Sequence, residues 1–498
     1  MKNKIFAIVL WLNYLNLNAQ MQQFNRLYST DTTSELTPCI LPAANNTYIV
    51  GGISRVGNLS NAVYVRKLGQ LGEIIWETTI DNSDTAQVSA YYGNCLVNTL
   101  DKNYAIASTV EYALHTQRDI RLTKFKDNGS ILWQKRYHAN DTLYAGVTLY
   151  PTSDKGYLIG GFASGSSDNL QSFLLLKTDS LGNLQWRKIY HDDYGVLFHA
   201  EQTTDGGYLV SGYNYHAATG YDMYAIKTDS LGNVQWEHTY GTDEDDCACR
   251  VMEVAPKQYA LLGCIDKTEE FQPFWYTATQ LMFARLDSSG NLINNSKRYY
   301  FSQQHNGCSA AYFDKGKQEI VATTYSVAPN PTQPYLTKFS LSGDMLLNAP
   351  LSTGIGTEDY LRDVEPTPNG GFVLAGFNFT NPSRGWVVKT DSLGNTCGEA
   401  DCDNYVEPIG IEEVLDSEDN YFRLSPNPTN STVQVQLQQM PTNAYIQLYN
   451  IQGSLLHSTP IVQQTIDINT SNYPTGIYYC KLIDNGNTIA TQKLIIIR

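Results

Sequence analysis

Two short stretches of the chain combine side chains that hold ligands. Phe271-Gln-Pro-Phe274-Trp275-Tyr276 puts four aromatic rings in six positions, and Asp243-Glu-Asp245-Asp246 puts four carboxylates in a row. Ring faces attract C–H edges and cations, and carboxylates accept hydrogen bonds from hydroxyl and ammonium groups. Together they suit stacking on a sugar or gripping a cationic peptide. Bond-breaking machinery is not evident. The sequence has no nucleophile elbow, HExxH, phosphate-binding loop or dinucleotide fingerprint. The eight histidines (115, 138, 191, 199, 216, 238, 305 and 457) lack helical ligand spacing. Nine cysteines include a C-x-C at Cys247 and Cys249 and a C-x4-C at Cys397 and Cys402, but neither has a second half at zinc spacing. The sequence thus calls for no catalytic residue, no metal and no cofactor, and its disulfide connectivity stays open.

The elements that position these residues come from an internal repeat. Lys177-Thr-Asp-Ser-Leu-Gly182-Asn-Leu-Gln-Trp186 returns as Lys227 to Trp236 and as Lys389 to Asn395, with looser copies around Gly72, Gly129, Gly290 and Gly343. The seven glycines span 322 residues in six intervals, about 54 each, a period typical of propeller blades. A second signature, Asp205-Gly-Gly-Tyr-Leu-Val-Ser-Gly212, recurs at Lys155 to Gly161 and Asn369 to Gly376. Each repeat therefore carries two Gly-centred hairpins and reads as four antiparallel strands. For the second repeat these are Cys95 to Leu100, Tyr104 to Thr109, Ile120 to Phe125 and Ile131 to Tyr137. Tight turns fall on one face and long connections on the other. The aromatic and acidic stretches both lie in long connections of the fifth repeat.

Ring closure supplies a second count. The fourth strand reads Trp-x-x-x-Tyr at Trp133, Trp186 and Trp236, but the seventh repeat stops after Asn395 without it. Phe24-Asn-Arg-Leu-Tyr28, near the N-terminus, supplies the missing strand and removes an exposed edge. The fold class is all-β, a seven-bladed β-propeller followed by a small C-terminal β-sandwich. The repeated tryptophans are wedges between blades. Asp179 and its copies stabilise hairpin turns.

The repeats resemble secreted propeller repeats, rich in D-G-G-Y and D-x-x-G-N-x-x-W, that are widespread in Bacteroidetes. Similarity to sialidase Asp boxes and to quinoprotein propellers is architectural. Gly129 to Trp133 is one position too long for the first, and the second has one more residue between Asp and Gly than Asp179 to Gly182 allows. Neither activity follows.

The termini read as addresses. Lys2 and Lys4, an apolar run from Ile5 to Leu12 and a small residue at Ala19 make residues 1–20 a secretory signal peptide, and no later segment is long and apolar enough to span a membrane. Residues 21–398 form the propeller. Residues 399–420 carry nine acidic side chains and no Lys or Arg, a solvated linker. That linker supplies nine of the fifteen net negative charges. With 34 basic against 49 acidic residues there is no cationic face for nucleic acid.

Residues 421–498 carry Ser425-Pro426-Asn427-Pro428, Leu448-Tyr-Asn-Ile-Gln-Gly453, Tyr473-Pro-Thr-Gly476-Ile-Tyr478 and Gln492-Lys493-Leu-Ile. In this order they resemble the type A sorting domain of the type IX (Por) secretion system. That resemblance implies export to the periplasm, passage across the outer membrane through the type IX machinery, removal of the domain, and residence outside the cell. The preferred reading is a secreted or surface-bound binding module for an extracellular glycan or protein. Its alternative is a polysaccharide-active propeller enzyme with carboxylates converging on the central channel.

Overall fold

Among the described residues of the computed structural model all regular structure is β-strand except the three-residue turn Ala44–Asn46. The structure describes residues 23–396 and 421–496, apart from 29–32, 57–60, 82–85, 90–93, 113–117, 139–141, 166–170, 191–193, 217, 267–278, 301–305, 327–331, 356–357, 439, 442–443, 451–454, 475 and 485–486. The chain divides into two compact units, Met1–Gly410 and Ile411–Arg498.

The first unit is a seven-bladed β-propeller. Seven antiparallel sheets follow one another along the chain, six of four strands and one of five. Blade 4 shows the pattern, with Gly195–Gln202 innermost, then Tyr208–His216, Gly220–Thr228 and Val234–Tyr240 outermost. Blade 7 is assembled from both ends of the unit. Glu358–Pro366, Phe372–Phe379 and Arg384–Thr390 are joined by Phe24–Tyr28, paired from Phe24 opposite Lys389 to Tyr28 opposite Gly385. Blade 2 departs from the sequence reading. Its inner edge consists of two pieces, Ala86–Ser89 and Leu96–Asn98, both paired with Tyr104–Tyr112. Asn94 has φ 65°, a left-handed conformation that interrupts an extended run.

The repeated residues work across blade boundaries. A Cβ at Gly182 would lie 2.8 Å from the Trp133 ring of the preceding blade, and one at Gly232 would lie 3.1 Å from Trp186. Both glycines have positive φ, so turn geometry and close packing select the same residue. In blades 2, 3 and 4 the last tyrosine then donates to the carbonyl of the next blade's glycine: Tyr137 to Gly182 at 2.8 Å, Tyr190 to Gly232 at 2.8 Å, Tyr240 to Gly290 at 2.7 Å. Tyr28, on the strand from the N-terminus, does the same to Gly72 at 2.6 Å. Where the turn opens on aspartate, at Asp179, Asp229, Asp287 and Asp391, the carboxylate accepts two backbone N–H groups, as Asp229 does from Leu231 at 2.9 Å and Asn233 at 2.8 Å. The Asn233 contacts lead in holding the Asp229 carboxyl below the usual range.

The second unit has two sheets. Phe422–Ser425, Thr432–Leu437 and Thr465–Asn469 form one, and Leu455–Pro460, Ala444–Asn450, Gly476–Asp484 and Asn487–Ile496 form the other. Strand alternation is plain in Thr432–Leu437, where Val433, Val435 and Leu437 are buried and the residues between them exposed. Ile446, Leu448, Cys480, Leu482, Leu494 and Ile496 complete the core.

Candidate functional site

Six inner strands carry a register shift, a β-bulge, near their middle. The first paired residue after it is Cys39 in blade 1, Thr148 in blade 3, His199 in blade 4, Arg250 in blade 5, Ala310 in blade 6 and Asp363 in blade 7. Residues far apart in sequence thus share one level of the innermost strands. All six are buried. Cys39 forms a disulfide with Cys95 of blade 2 across a Cα separation of 6.4 Å, locking two inner edges together. Cys308, beside the blade 6 bulge, is disulfide-bonded as well.

Charge gathers at this level. Arg250 donates to the carbonyl of Ala311 in the next blade, while its Nη2 has no hydrogen-bond partner. Burial draws its guanidinium below the ordinary range, against the pull of Asp363, Glu201 and Glu365. Asp363 accepts from the backbone N–H of Ile40 at 2.9 Å and from its own neighbour Val364 at 3.0 Å. Burial raises the Asp363 carboxyl despite these donors. Glu365 is raised too, first by burial and then by the charge of Asp363. Glu365 is part-buried. His199 contacts Glu201 at 3.3 Å, and burial, helped by Arg250, keeps its ring neutral at lower pH than usual. Tyr312 has a buried hydroxyl without a partner, and burial raises its pKa. Asp363 serves as a tie between blades 7 and 1. Glu365 is the axial carboxyl without such a bond.

The loop face, where blades connect to one another, carries two aromatic groups. In blade 4, Tyr221 is met by Tyr194, Tyr213 and Tyr215 at centroid distances of 6.0, 5.2 and 5.2 Å, and Tyr213 meets Phe198 at 5.4 Å. Tyr215 is 44% exposed, so this group offers a ring face to solvent. In blade 7, Tyr360 meets Phe377 and Phe379, both at 5.6 Å, and Tyr325 of blade 6 at 6.1 Å, with Phe379 49% exposed. The strand segments Gly212-Tyr-Asn-Tyr215 and Gly376-Phe-Asn-Phe379 are the same motif in two blades. That repetition was the sequence signal for both groups, and a search limited to insertions passes over it.

The acidic loop lies beside the blade 4 group. Asp245 Oδ1 accepts the Tyr221 N–H at 2.9 Å, and Asp243, Glu244 and Asp245 are exposed. Asp246 differs. It is buried and accepts from the Thr242 hydroxyl at 3.1 Å and the Thr242 N–H at 2.5 Å, a use that closes the loop. Asp359 does the same for Thr353 in blade 7, through bonds of 2.8 and 2.9 Å. Phe271, Phe274, Trp275 and Tyr276 lie outside the described residues, as does the linker at 399–420. Among the described residues no cluster of His, Cys, Asp or Glu suits a metal ion, and no helix is long and apolar enough to cross a membrane.

In the C-terminal unit the motif residues fasten the last strand. Asn427 donates through Nδ2 to the Lys493 carbonyl at 2.7 Å and accepts the Ile495 N–H at 2.9 Å, so the turn holding Pro426 and Pro428 grips Asn487–Ile496. Gly476 pairs with Ile496 at the start of its strand. Tyr478 is buried and donates to the Pro474 carbonyl at 2.8 Å. Gly453 lies outside the described residues.

Residues 423–497 match the family model of the secretion system C-terminal sorting domain. No curated protein matches the chain. Among solved structures it is similar to an oligogalacturonate lyase from Vibrio parahaemolyticus, with 11% identity over 75% of this chain and 98% of that one and a TM-score of 0.42. The polysaccharide lyase Uly1 shares 10% identity over 75% and 93%, with a TM-score of 0.45. Drosophila Plexin A, solved with Semaphorin 1b, shares 6% over 74% and 86%, with a TM-score of 0.39. Likenesses this remote bear on no substrate. Residues 423–497 are a Por secretion-system C-terminal sorting domain, and they direct the chain to the cell surface or the extracellular space.

Proposed function

We propose that the protein is a secreted propeller that binds an extracellular glycan or protein on its loop face, with a glycan the ligand that its surface suits best. The observation that carries this reading is the blade 4 group, in which Tyr194, Tyr213 and Tyr221 brace an exposed Tyr215 beside the carboxylates of Asp243 and Asp245. A braced ring offers a sugar a stacking face at low entropic cost, and carboxylates beside it accept hydroxyl hydrogen bonds. The proposal also assigns ligand contacts to Phe271, Phe274, Trp275 and Tyr276. Residues 1–20 act as the leader for export through the periplasm, the type IX machinery reads the sorting domain, and 399–420 serve as the tether between propeller and tail.

A glycan array on the purified chain tests the reading. Tyr215→Ala and Tyr221→Ala are expected to weaken binding about tenfold or more each. Glycan binding undiminished by both would overturn the site, and capture of a protein without any glycan would move the ligand class. Deleting Tyr421 to Arg498 is expected to abolish appearance outside the cell.

Glu365 favours a second reading, the polysaccharide-active enzyme. A carboxylic acid kept protonated near neutrality by burial, close to a second carboxyl, is the raw material of a general acid. Product release from a polysaccharide, lost in Glu365→Gln, would establish it.

A further inference from the structure

Blade 7 carries a cation where blade 4 carries a ring. The bulged residue of the inner strand is Phe198 in blade 4 and Arg362 in blade 7. A bulge turns its extra residue out of the alternation of the strand. Arg362 lies over two rings of the blade 7 group, 5.4 Å from the Tyr360 centroid and 5.6 Å from that of Phe377. The guanidinium is half-buried, and its Nε is buried with no hydrogen-bond partner.

Four carboxylates, Glu358, Asp359, Asp363 and Glu365, lie within four residues of Arg362, and no ion pair joins any of them to it. Asp359 is held by Thr353 and, at 2.6 Å, by the Asn378 amide. Asp363 turns inward to the N–H of Ile40. Glu358 accepts the Tyr360 hydroxyl at 3.2 Å. A half-buried guanidinium with unmatched donors is costly unless something outside the chain matches them. Its planar fork fits a carboxylate, and the rings beneath it fit the apolar face of a pyranose.

We infer that the blade 7 group is a binding subsite for an acidic sugar, a uronate whose carboxylate pairs with Arg362 while its ring stacks on Phe379 and Tyr360. The subsite stands independently of the blade 4 reading, and Tyr215→Ala separates the two.

Titration calorimetry on the full chain uses three probes: a β-linked glucuronate tetrasaccharide, its methyl ester, and a sulfated neutral tetrasaccharide. The uronate is expected to bind at least about tenfold more tightly than its ester, with affinity falling as salt rises. Arg362→Lys keeps the charge but loses the fork, so a loss of about tenfold is expected, and Arg362→Gln is expected to lose more. Glu358→Gln removes a nearby negative charge and is expected to tighten binding a few-fold. Phe379→Ala is expected to weaken binding without altering the preference for acid over ester. Thermal unfolding within a few degrees of the parent protein verifies each variant's fold. Equal affinity for acid and ester, unchanged binding in Arg362→Gln, or no binding of any probe would overturn the inference. Tighter binding of the sulfated probe than of the uronate would overturn its assignment to a carboxylate.

Discussion

Blades 4 and 7 share a ladder, a Gly-aromatic-Asn-aromatic motif and a strand-3 lysine followed by Thr-Asp, yet they solve one burial problem differently. In blade 4 the Lys227 ammonium is almost fully buried and pairs with Asp205 at 3.0 Å, adding the carbonyl of Thr228 and Gln235. Lys124 with Asp101 and Lys177 with Asp154 repeat the pair in blades 2 and 3. In blade 7 the same turn position is Asn369, and Lys389 is left over the Tyr48 ring at 5.6 Å. Burial lowers its pKa. The ladder is common to every blade, whereas the ion pair is one way among others of burying a long side chain.

The largest contrast concerns the outermost strand. Leu27 and Thr239 each precede the tyrosine that bonds to the next blade's glycine, but Leu27 is buried against Trp386 and Leu336, whereas Thr239 is exposed. Leu27→Asp places an unpaired carboxylate in that core and is expected to cost about 4 kcal/mol, enough to open the ring. Thr239→Asp is expected to stay within about 0.5 kcal/mol. Denaturant unfolding of both variants decides. Equal effects would mean that blade 7 is held shut by something other than Phe24–Tyr28.

A smaller effect tests the lysines. Asp205→Asn leaves the Lys227 ammonium without its anion and is expected to cost about 2 kcal/mol, less than a fully buried pair because Asp205 keeps some exposure. The reverse change, Asn369→Asp, is nearly isosteric, since Thr367 already bonds Asn369 Oδ1 as Thr203 bonds Asp205. It is expected to stabilise by about 1 kcal/mol. A destabilised Asn369→Asp would show that the Tyr48 ring already satisfies Lys389.

These differences mark how far the sequence is readable. Turn glycines recur in all seven blades, and wedge tryptophans and the tyrosines that follow them recur in several because those blades meet their neighbours in the same way, so they are visible as periodicity. The fold class and the sorting domain follow from them and from contiguous motifs. Bulges leave no compositional trace, being one extra residue in an otherwise regular strand, so nothing in the sequence brings His199, Arg250 and Asp363 to one level or pairs Cys39 with Cys95. Asp246 was readable as acidic but not as a loop closure, since only its contact with Thr242 separates it from exposed Asp243. The Arg362 stack depends on the bulge as well, and is invisible for the same reason.

At the axis the two blades titrate in opposite senses. His199 of blade 4 has its pKa lowered by burial, so the folded state binds fewer protons than the unfolded chain. Its contribution is present above the ordinary histidine pKa of about 6.5 and is lost as pH falls through the lowered value. Glu365 of blade 7 has its pKa raised, so the folded state binds more protons. Its contribution is present below the ordinary carboxylate pKa of about 4.3 and is lost as pH rises through the raised value. Chemical denaturation from pH 4 to 9 is therefore expected to show Glu365→Gln flattening the alkaline limb and His199→Gln the acidic one. Loss of both limbs in either variant would show that the axial groups titrate as one unit through Arg250.

The smallest expected effect isolates ring closure from packing. Tyr28 and Tyr190 make the same hydrogen bond, to the Gly72 and Gly232 carbonyls, but Tyr28 lies on a strand far in sequence from the rest of its blade. In both, burial raises the phenol well above its ordinary pKa. Removing one hydroxyl leaves one carbonyl short of a donor, and Tyr28→Phe and Tyr190→Phe are each expected to cost about 1 kcal/mol at equilibrium. Kinetics separate them. The N-terminal strand must close a loop of more than 300 residues onto Arg384–Thr390, so its contacts form late if local hairpins form first. Tyr28→Phe is then expected to speed unfolding and leave refolding unchanged, while Tyr190→Phe divides its effect between the two rates. Equal partition in both variants would place closure of the ring early, before the local blades are complete.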